Sequence, residues 1–109
     1  MRFGLPQTAI DKICAVFALH PEVEQAVLYG SRAKGNYKNG SDIDLTLHGA
    51  QLSHRVLLTL LGELDDLLLP WMIDLSIFDT LDHPALKDHI ERGGVTFYRR
   101  ASLASLDAG

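Results

Sequence analysis

The sequence is poor in cysteine and in positive charge. Its 109 residues include one cysteine, Cys14, so no internal disulfide can form. A lone thiol among apolar residues is typical of a protein in a reducing compartment. The histidines and the cysteine are not spaced as zinc ligands, which argues against a zinc site. The net charge of −4 argues against general electrostatic binding to nucleic acid.

The sequence also has no long uninterrupted apolar run. The leucine-rich stretch 52–69 is the most apolar region, and it is broken by His54, Arg55, Glu63, Asp65 and Asp66. A helix needs about 20 consecutive apolar residues to span a bilayer, so we expect no membrane segment. Asp11 and Lys12 likewise interrupt the only candidate for a signal segment. These features predict a cytoplasmic protein.

The apolar pattern predicts helices that alternate with strands in one domain over residues 1–100, with a flexible tail over 101–109. Helices are predicted at 6–20, 31–34, 52–69 and 83–92, and strands at 26–29, 42–47, 72–78 and 95–98. On these elements we expect Ala18, Leu68 and Met72 to face the core. The order of elements predicts an α/β (α+β) fold, a small sheet with helices packed against it.

A glycine-serine turn, Gly30-Ser31, follows the first predicted strand and precedes a short helix. Glycine permits a sharp turn and close approach of a ligand. A turn that opens a helix also aims free N–H groups at a phosphate, and the Ser31 hydroxyl can cap the helix or bond a phosphate oxygen. Arg32 could fork onto phosphate oxygens, while Lys34 or Lys38 could act as a point charge. The alternative is that all three are solvated surface cations.

Three carboxylates stand on two predicted strands. Asp42 and Asp44 are two residues apart, so they share a strand face, where their repulsion favours a bound cation. Asp74 lies between Ile73 and Leu75, in a strand otherwise too apolar for a charge. If the strands are neighbours, the three carboxylates can hold two Mg²⁺ ions for in-line phosphoryl transfer, and Asp74 could accept a proton from the attacking hydroxyl. The alternatives are that Ser41-Asp42 forms a turn while Asp44 faces water, and that Asp74 is an exposed residue of an edge strand.

The run Tyr29-Gly30-Ser31-Arg32-Ala33-Lys34-Gly35 followed by Ser41-Asp42-Ile43-Asp44-Leu45 resembles the signature of the DNA polymerase beta-like nucleotidyltransferases. Ile73-Asp74-Leu75-Ser76 is similar to the strand that supplies the third acidic residue of that superfamily. The small size resembles its minimal nucleotidyltransferase (MNT) group. The resemblance implies a mixed sheet flanked by helices, with Gly30 and Ser31 on the phosphates of ATP. It also implies that Asp42, Asp44 and Asp74 bind Mg²⁺.

The best-understood MNT proteins are antitoxins encoded beside HEPN-domain ribonuclease toxins, and they transfer AMP from ATP to a tyrosine of the toxin. The resemblance therefore implies a protein adenylyltransferase with a HEPN-type partner in a hetero-oligomer. A physical argument agrees, because a domain this small leaves its site open, and a folded partner could enclose it. Two alternatives stay open. One is neutralisation of the partner by occlusion alone, and the other is transfer to a small molecule or an RNA end.

Overall fold

The computed structural model describes residues 2–101, so the predicted tail, apart from Ala101, lies outside the described residues. Within that range helices and strands alternate as the apolar pattern predicts. The elements are α1 Gln7–Ala18, β1 Gln25–Tyr29, α2 Ser31–Lys34, β2 Ile43–His48, α3 His54–Asp65, β3 Ile73–Ile77, a 3₁₀ turn Phe78–Thr80, α4 Pro84–Gly93 and β4 Val95–Arg99.

The strands of residues 2–101 form a four-stranded mixed sheet in the order β3-β2-β1-β4. β1 runs antiparallel to both β2 and β4, whereas β2 and β3 are parallel. A parallel pair needs a crossover connection, and α3 supplies it between β2 and β3. The mixed sheet with flanking helices confirms the predicted fold class.

The core lies between one face of the sheet and the helices α1 and α3. Alternation along β2 places Ile43, Leu45 and Leu47 on that face, and each is fully buried. Phe17 from α1 and Leu60 from α3 pack into the same cluster and are also fully buried. The other face of β2 is thereby left to its polar residues.

Three residues expected in the core are exposed instead. Leu68 is 88% exposed, Met72 is 72% exposed, and Ala18 is also exposed. The predicted third helix was too long: Ser53 caps α3 by accepting a bond from the Val56 N–H at 3.3 Å, and the helix stops at Asp65. Leu68 has a φ of 54°, a left-handed conformation that breaks the helical period. The prediction that Leu68 faces the core is therefore wrong, because it extended the helical period beyond the end of α3.

No helix within residues 2–101 is long and apolar enough to cross a membrane.

The central position of Leu45 makes a test of this core. We expect Leu45→Ala to lower the free energy of unfolding by about 2–5 kcal/mol, because a fully buried leucine is lost and a cavity remains. Leu19, 73% exposed, is the control, and Leu19→Ala should change stability by less than about 0.5 kcal/mol. Urea unfolding followed by circular dichroism measures both. Equal losses in the two variants would contradict the burial pattern.

Candidate active site

The turn after β1 is in direct contact with a carboxylate. Gly30 has a φ of 78° and a ψ of −153°, a conformation that side chains disfavour. A Cβ atom at this position would also lie 2.7 Å from Oδ2 of Asp44. Glycine is therefore required twice, by the backbone and by the neighbouring carboxylate. The phosphate-binding turn and the acidic pair predicted from the sequence are brought together here.

The register of the parallel strands brings the third carboxylate to the same place. Asp44 of β2 is directly paired with Asp74 of β3, and Asp42 immediately precedes β2. Paired residues of neighbouring strands project from the same face, and residues two apart along a strand do so as well. The three carboxylates thus share one face at one end of the sheet. Asp44 is half-buried, while Asp42 and Asp74 are exposed.

The site carries negative charge that the protein itself does not neutralise. Burial raises the pKa of Asp44, and repulsion from Asp74 and then from Asp42 raises that pKa further. The ion pairs within residues 2–101 are His20–Glu63 and Asp88–Arg92, so none of the three carboxylates has a cationic partner there. Such a centre is suited to a hard divalent cation.

The three carboxylates do not by themselves form a complete set of metal ligands. Among the described residues, no three His, Cys, Asp or Glu side chains are gathered closely enough to enclose a cation. Mg²⁺ needs only one or two protein carboxylates when phosphate oxygens and water complete its shell. Asp42 and Asp74 are exposed, so their side chains can change rotamer without disturbing the core. The donor set fits Mg²⁺ bound together with a phosphate, and these roles stay predictions.

Three polar residues beside the carboxylates, Tyr29, Thr46 and Ser76, have no role predicted from the sequence. Ser76 donates a hydrogen bond to Thr46 Oγ1 at 2.9 Å, and these residues lie two positions beyond Asp74 and Asp44. Tyr29 stands directly opposite Asp44 on β1. Burial, followed by the charge of Asp74, raises the pKa of Tyr29, while hydrogen bonding with Ser76 opposes the rise. The two-residue period of the strands is the signal that could have placed these residues at the site.

Arg32 has a different role from the expected phosphate contact. Its side chain is only 2% exposed. Nη1 donates to the Phe3 carbonyl at 2.8 Å, and Nη2 donates to the carbonyls of Ser41 at 2.8 Å and Asn39 at 3.2 Å. Nε adds a second bond to Ser41 at 3.1 Å. The guanidinium therefore fastens the loop that delivers Asp42, contrary to the expectation from sequence.

Two aromatic rings complete the setting of Arg32. Its Cζ atom lies 5.3 Å from the ring centroid of Tyr37 and 5.9 Å from that of Trp71, distances at which cation–π attraction acts. Trp71 also donates from Nε1 to the Asn39 carbonyl at 3.1 Å. Lys34, in contrast, is exposed beside the Gly30-Ser31 turn, and a phosphate contact remains a prediction for it.

The fold and the sequence place the chain in a known family. Residues 11–102 match the family model described as polymerase beta, nucleotidyltransferase, so the chain belongs to this family. No curated protein matches the sequence.

Solved structures of toxin–antitoxin pairs include chains with the same fold. A chain of a toxin-antitoxin crystal structure with AMP-PNP has a TM-score of 0.66 and 20% identity, over 95% of this chain and 80% of that one. A chain of the toxin-antitoxin MntA-HepT gives a TM-score of 0.63 and 20% identity, over 87% and 74%. A chain of the structure of a tri-AMPylated Shewanella oneidensis HEPN toxin in complex with an MNT antitoxin has a TM-score of 0.63 and 20% identity. The match covers 86% of this chain and 72% of that one.

The raised pKa of Asp44 leads to a stability prediction with a definite sign. The fold favours its protonated form, so the contribution of Asp44 to stability declines as pH rises from its unfolded pKa through its folded pKa. Asp44→Asn should therefore raise Tm at pH 7 by about 2–4 °C, since partial solvation keeps the repulsion below about 1 kcal/mol. The gain should vanish below about pH 4.

Thermal melts at several pH values measure this effect, and Asp82→Asn is the control, because Asp82 is exposed in a loop outside the site. A loss of stability in Asp44→Asn at pH 7 would contradict the repulsion inferred here.

The bonds of Arg32 give a second prediction. Arg32→Lys should destabilise the protein by about 2–4 kcal/mol, because one ammonium group cannot reach three carbonyls and the remaining acceptors lose their partners. Amide exchange should quicken selectively in the loop over residues 36–41. Arg99→Lys, the same change at an exposed residue, should leave both measurements unchanged. A phosphate ligand would behave in the opposite way, with stability intact and nucleotide affinity reduced.

Proposed function

We propose that this chain is a Mg²⁺-dependent nucleotidyltransferase that transfers AMP from ATP to a tyrosine of a HEPN-type ribonuclease toxin and so acts as its antitoxin. The observation that carries the proposal is the position of Asp44. Its carboxylate touches the Gly30 turn and is paired with Asp74 on the neighbouring strand. A phosphate-binding turn, a pair of metal-ligating carboxylates and a third carboxylate thus share one small surface.

Each residue has a role that follows from its place. The N–H groups of the turn at Gly30 and Ser31 would bind phosphate oxygens, with Lys34 as a nearby positive charge. Asp42, Asp44 and Asp74 would hold Mg²⁺, which supplies charge neutralisation for the phosphates and the leaving group. Family membership supports this donor and metal chemistry.

The proposed reaction is a displacement at the α-phosphorus of ATP. A tyrosine oxygen of the acceptor forms a bond to the α-phosphorus of ATP, the bond from that phosphorus to the bridging oxygen breaks, and pyrophosphate leaves. The tyrosine proton passes to Asp74, which is exposed on the edge strand β3 and can be reached from solvent. Because ATP is the donor, we assign the reaction to the cytoplasm.

A protein acceptor is supported by two separate observations. The site is open on the side of β3, so an acceptor that covers it would exclude water and hold its hydroxyl in line. The structures with the same fold include a toxin-antitoxin with AMP-PNP and a tri-AMPylated HEPN toxin bound to an MNT antitoxin. We extend that pairing to this chain as part of the proposal.

Label transfer provides the direct test. Purified chain, Mg²⁺ and ATP labelled on the α-phosphate are incubated with the product of the gene adjacent to the one that encodes this chain. We expect labelled partner with AMP on tyrosine by mass spectrometry. Asp42→Asn with Asp44→Asn should lower the rate at least about 100-fold, because the developing charge loses its stabilisation. Asp82→Asn, a neutralisation outside the site, should leave the rate within about twofold. Absence of label from the wild-type reaction would overturn the catalytic proposal.

Occlusion of the partner without catalysis is the second candidate, and the exposed Leu68 and Met72 favour it because they offer apolar contact surface. The same double variant separates the two functions in cells that express the toxin. Protection that survives Asp42→Asn with Asp44→Asn would identify binding as the neutralising event.

A further inference from the structure

An apolar groove opens beside the catalytic edge of the sheet. It has a volume of about 660 Å³ and lies between the C-terminal half of α3 and the segment that leads into β3. Leu61, Leu69, Trp71 and Met72 are among the residues that line it. Within residues 2–101 no element lies over the groove mouth at Met72, which is 72% exposed.

Leu68 is a second exposed apolar side chain, three residues beyond the end of α3 and adjacent along the chain to the groove residue Leu69. It is 88% exposed, and its φ of 54° is one that a branched side chain adopts at a cost in free energy. Because the Leu68 side chain is exposed, its burial within the described residues does not offset this cost. Leu58, 55% exposed, lies on the same helix face as Leu61 and Asp65, because residues three, four and seven apart are neighbours on a helix. The apolar surface therefore runs along α3 into the groove.

One main-chain hydrogen bond connects the groove lining to the strand that carries Asp44. The Met72 carbonyl accepts a bond from the Ile43 N–H at 2.9 Å, and Ile43 lies between Asp42 and Asp44. Two residues after Met72 along the chain stands Asp74. A protein segment seated in the groove would consequently lie at the same end of β3 as Asp74, with α3 and the carboxylates on opposite faces of the sheet.

The charge around the groove selects the kind of occupant. Asp65 is the charged residue in its lining, and Asp66 follows it. The ion pairs found in residues 2–101 are His20–Glu63 and Asp88–Arg92, so both carboxylates lack a cation in the described chain. An apolar surface with an acidic rim complements an apolar segment that carries lysine or arginine on its flank.

We propose that this groove docks the acceptor protein, and that its occupant is an amphipathic segment of the acceptor with apolar side chains and a basic flank. This inference rests on the proposed function for the identity of the partner. It adds the surface by which that partner is held while its hydroxyl approaches Asp74.

The test measures binding and nucleotide affinity separately. The variant is Leu68→Asp with Met72→Glu, and calorimetry follows its binding to the product of the adjacent gene, the partner used in the label-transfer test. We expect affinity to fall at least about tenfold, because two apolar contacts become desolvated charges. Binding of AMP-PNP with Mg²⁺ to the variant without partner should stay within about twofold, which also shows that the site is folded.

A matched control lies on another side of the molecule. Leu19 is 73% exposed and does not line the groove. Its neighbour His20 bonds Glu63, which projects from the opposite face of α3 from Leu61 and Asp65. Leu19→Asp should leave partner affinity within about twofold. Asp65→Asn with Asp66→Asn should slow association and reduce its dependence on salt, because the basic flank loses its attraction.

Several outcomes would overturn the docking proposal. They are wild-type affinity in the groove variant, no binding of the partner by the wild-type chain, or an equal loss in Leu19→Asp. Self-association of the free chain that disappears in the groove variant would assign the groove to a second copy instead. The catalytic proposal fails by a different result, namely a transfer rate that does not fall in Asp42→Asn with Asp44→Asn, a change that should leave groove-dependent binding intact. Groove-dependent binding without any transfer would leave docking intact and remove the adenylyltransferase.

Discussion

Three carboxylates can act together here because β2 and β3 pair in parallel with Asp44 opposite Asp74. The side chains of a strand alternate between faces, so a slip of one residue would turn Asp74 toward the core and Ile73 toward the site. The apolar residues on the other face of β2 prevent that slip, because it would expose the buried partners of Leu45 and Leu47. The core therefore sets the geometry of the charges from the opposite face of the sheet.

The acidic cluster and the buried arginine are kept apart. Arg32 is one of the most deeply buried side chains, yet its donors go to main-chain carbonyls and not to the carboxylates nearby. Pairing Arg32 with Asp42 or Asp44 would neutralise the site and weaken its attraction for a cation. Backbone dipoles instead stabilise the guanidinium, and the loop before Asp42 is held in place without loss of negative charge at the site. Positive and negative charge thus serve separate purposes within a few residues.

The sequence was most informative where local backbone geometry restricts which residue type can occupy a position. The order of elements, the turn at Gly30 and the shared face of Asp42 and Asp44 all follow from short-range rules of backbone and strand geometry. The pairing of Asp74 with Asp44 needed one further assumption, that the two strands are neighbours, and the structure supports that assumption. These residues also carry the resemblance to the family.

The sequence was least informative where contacts between residues far apart in the chain determine the role or the burial of a side chain. A cation next to a turn predicted to bind phosphate looks like a phosphate ligand, and only the approach of Phe3 and Asn39 reveals the hydrogen bonds that Arg32 makes to the main chain. The helical period likewise predicted Leu68 as buried, because periodicity does not report where a helix stops. Such outcomes depend on the tertiary structure and on the competition between alternative contacts.

The position of β1 in the sheet has a consequence for synthesis in the cell. β1 forms early in the chain, but its second neighbour is β4, residues Val95–Arg99. Until those residues leave the ribosome, one edge of β1 exposes unpaired N–H and C=O groups that can join strands of other nascent chains. Protection against such mispairing then depends on how quickly translation reaches β4, so slow codons between the two strands should lower the yield of folded protein.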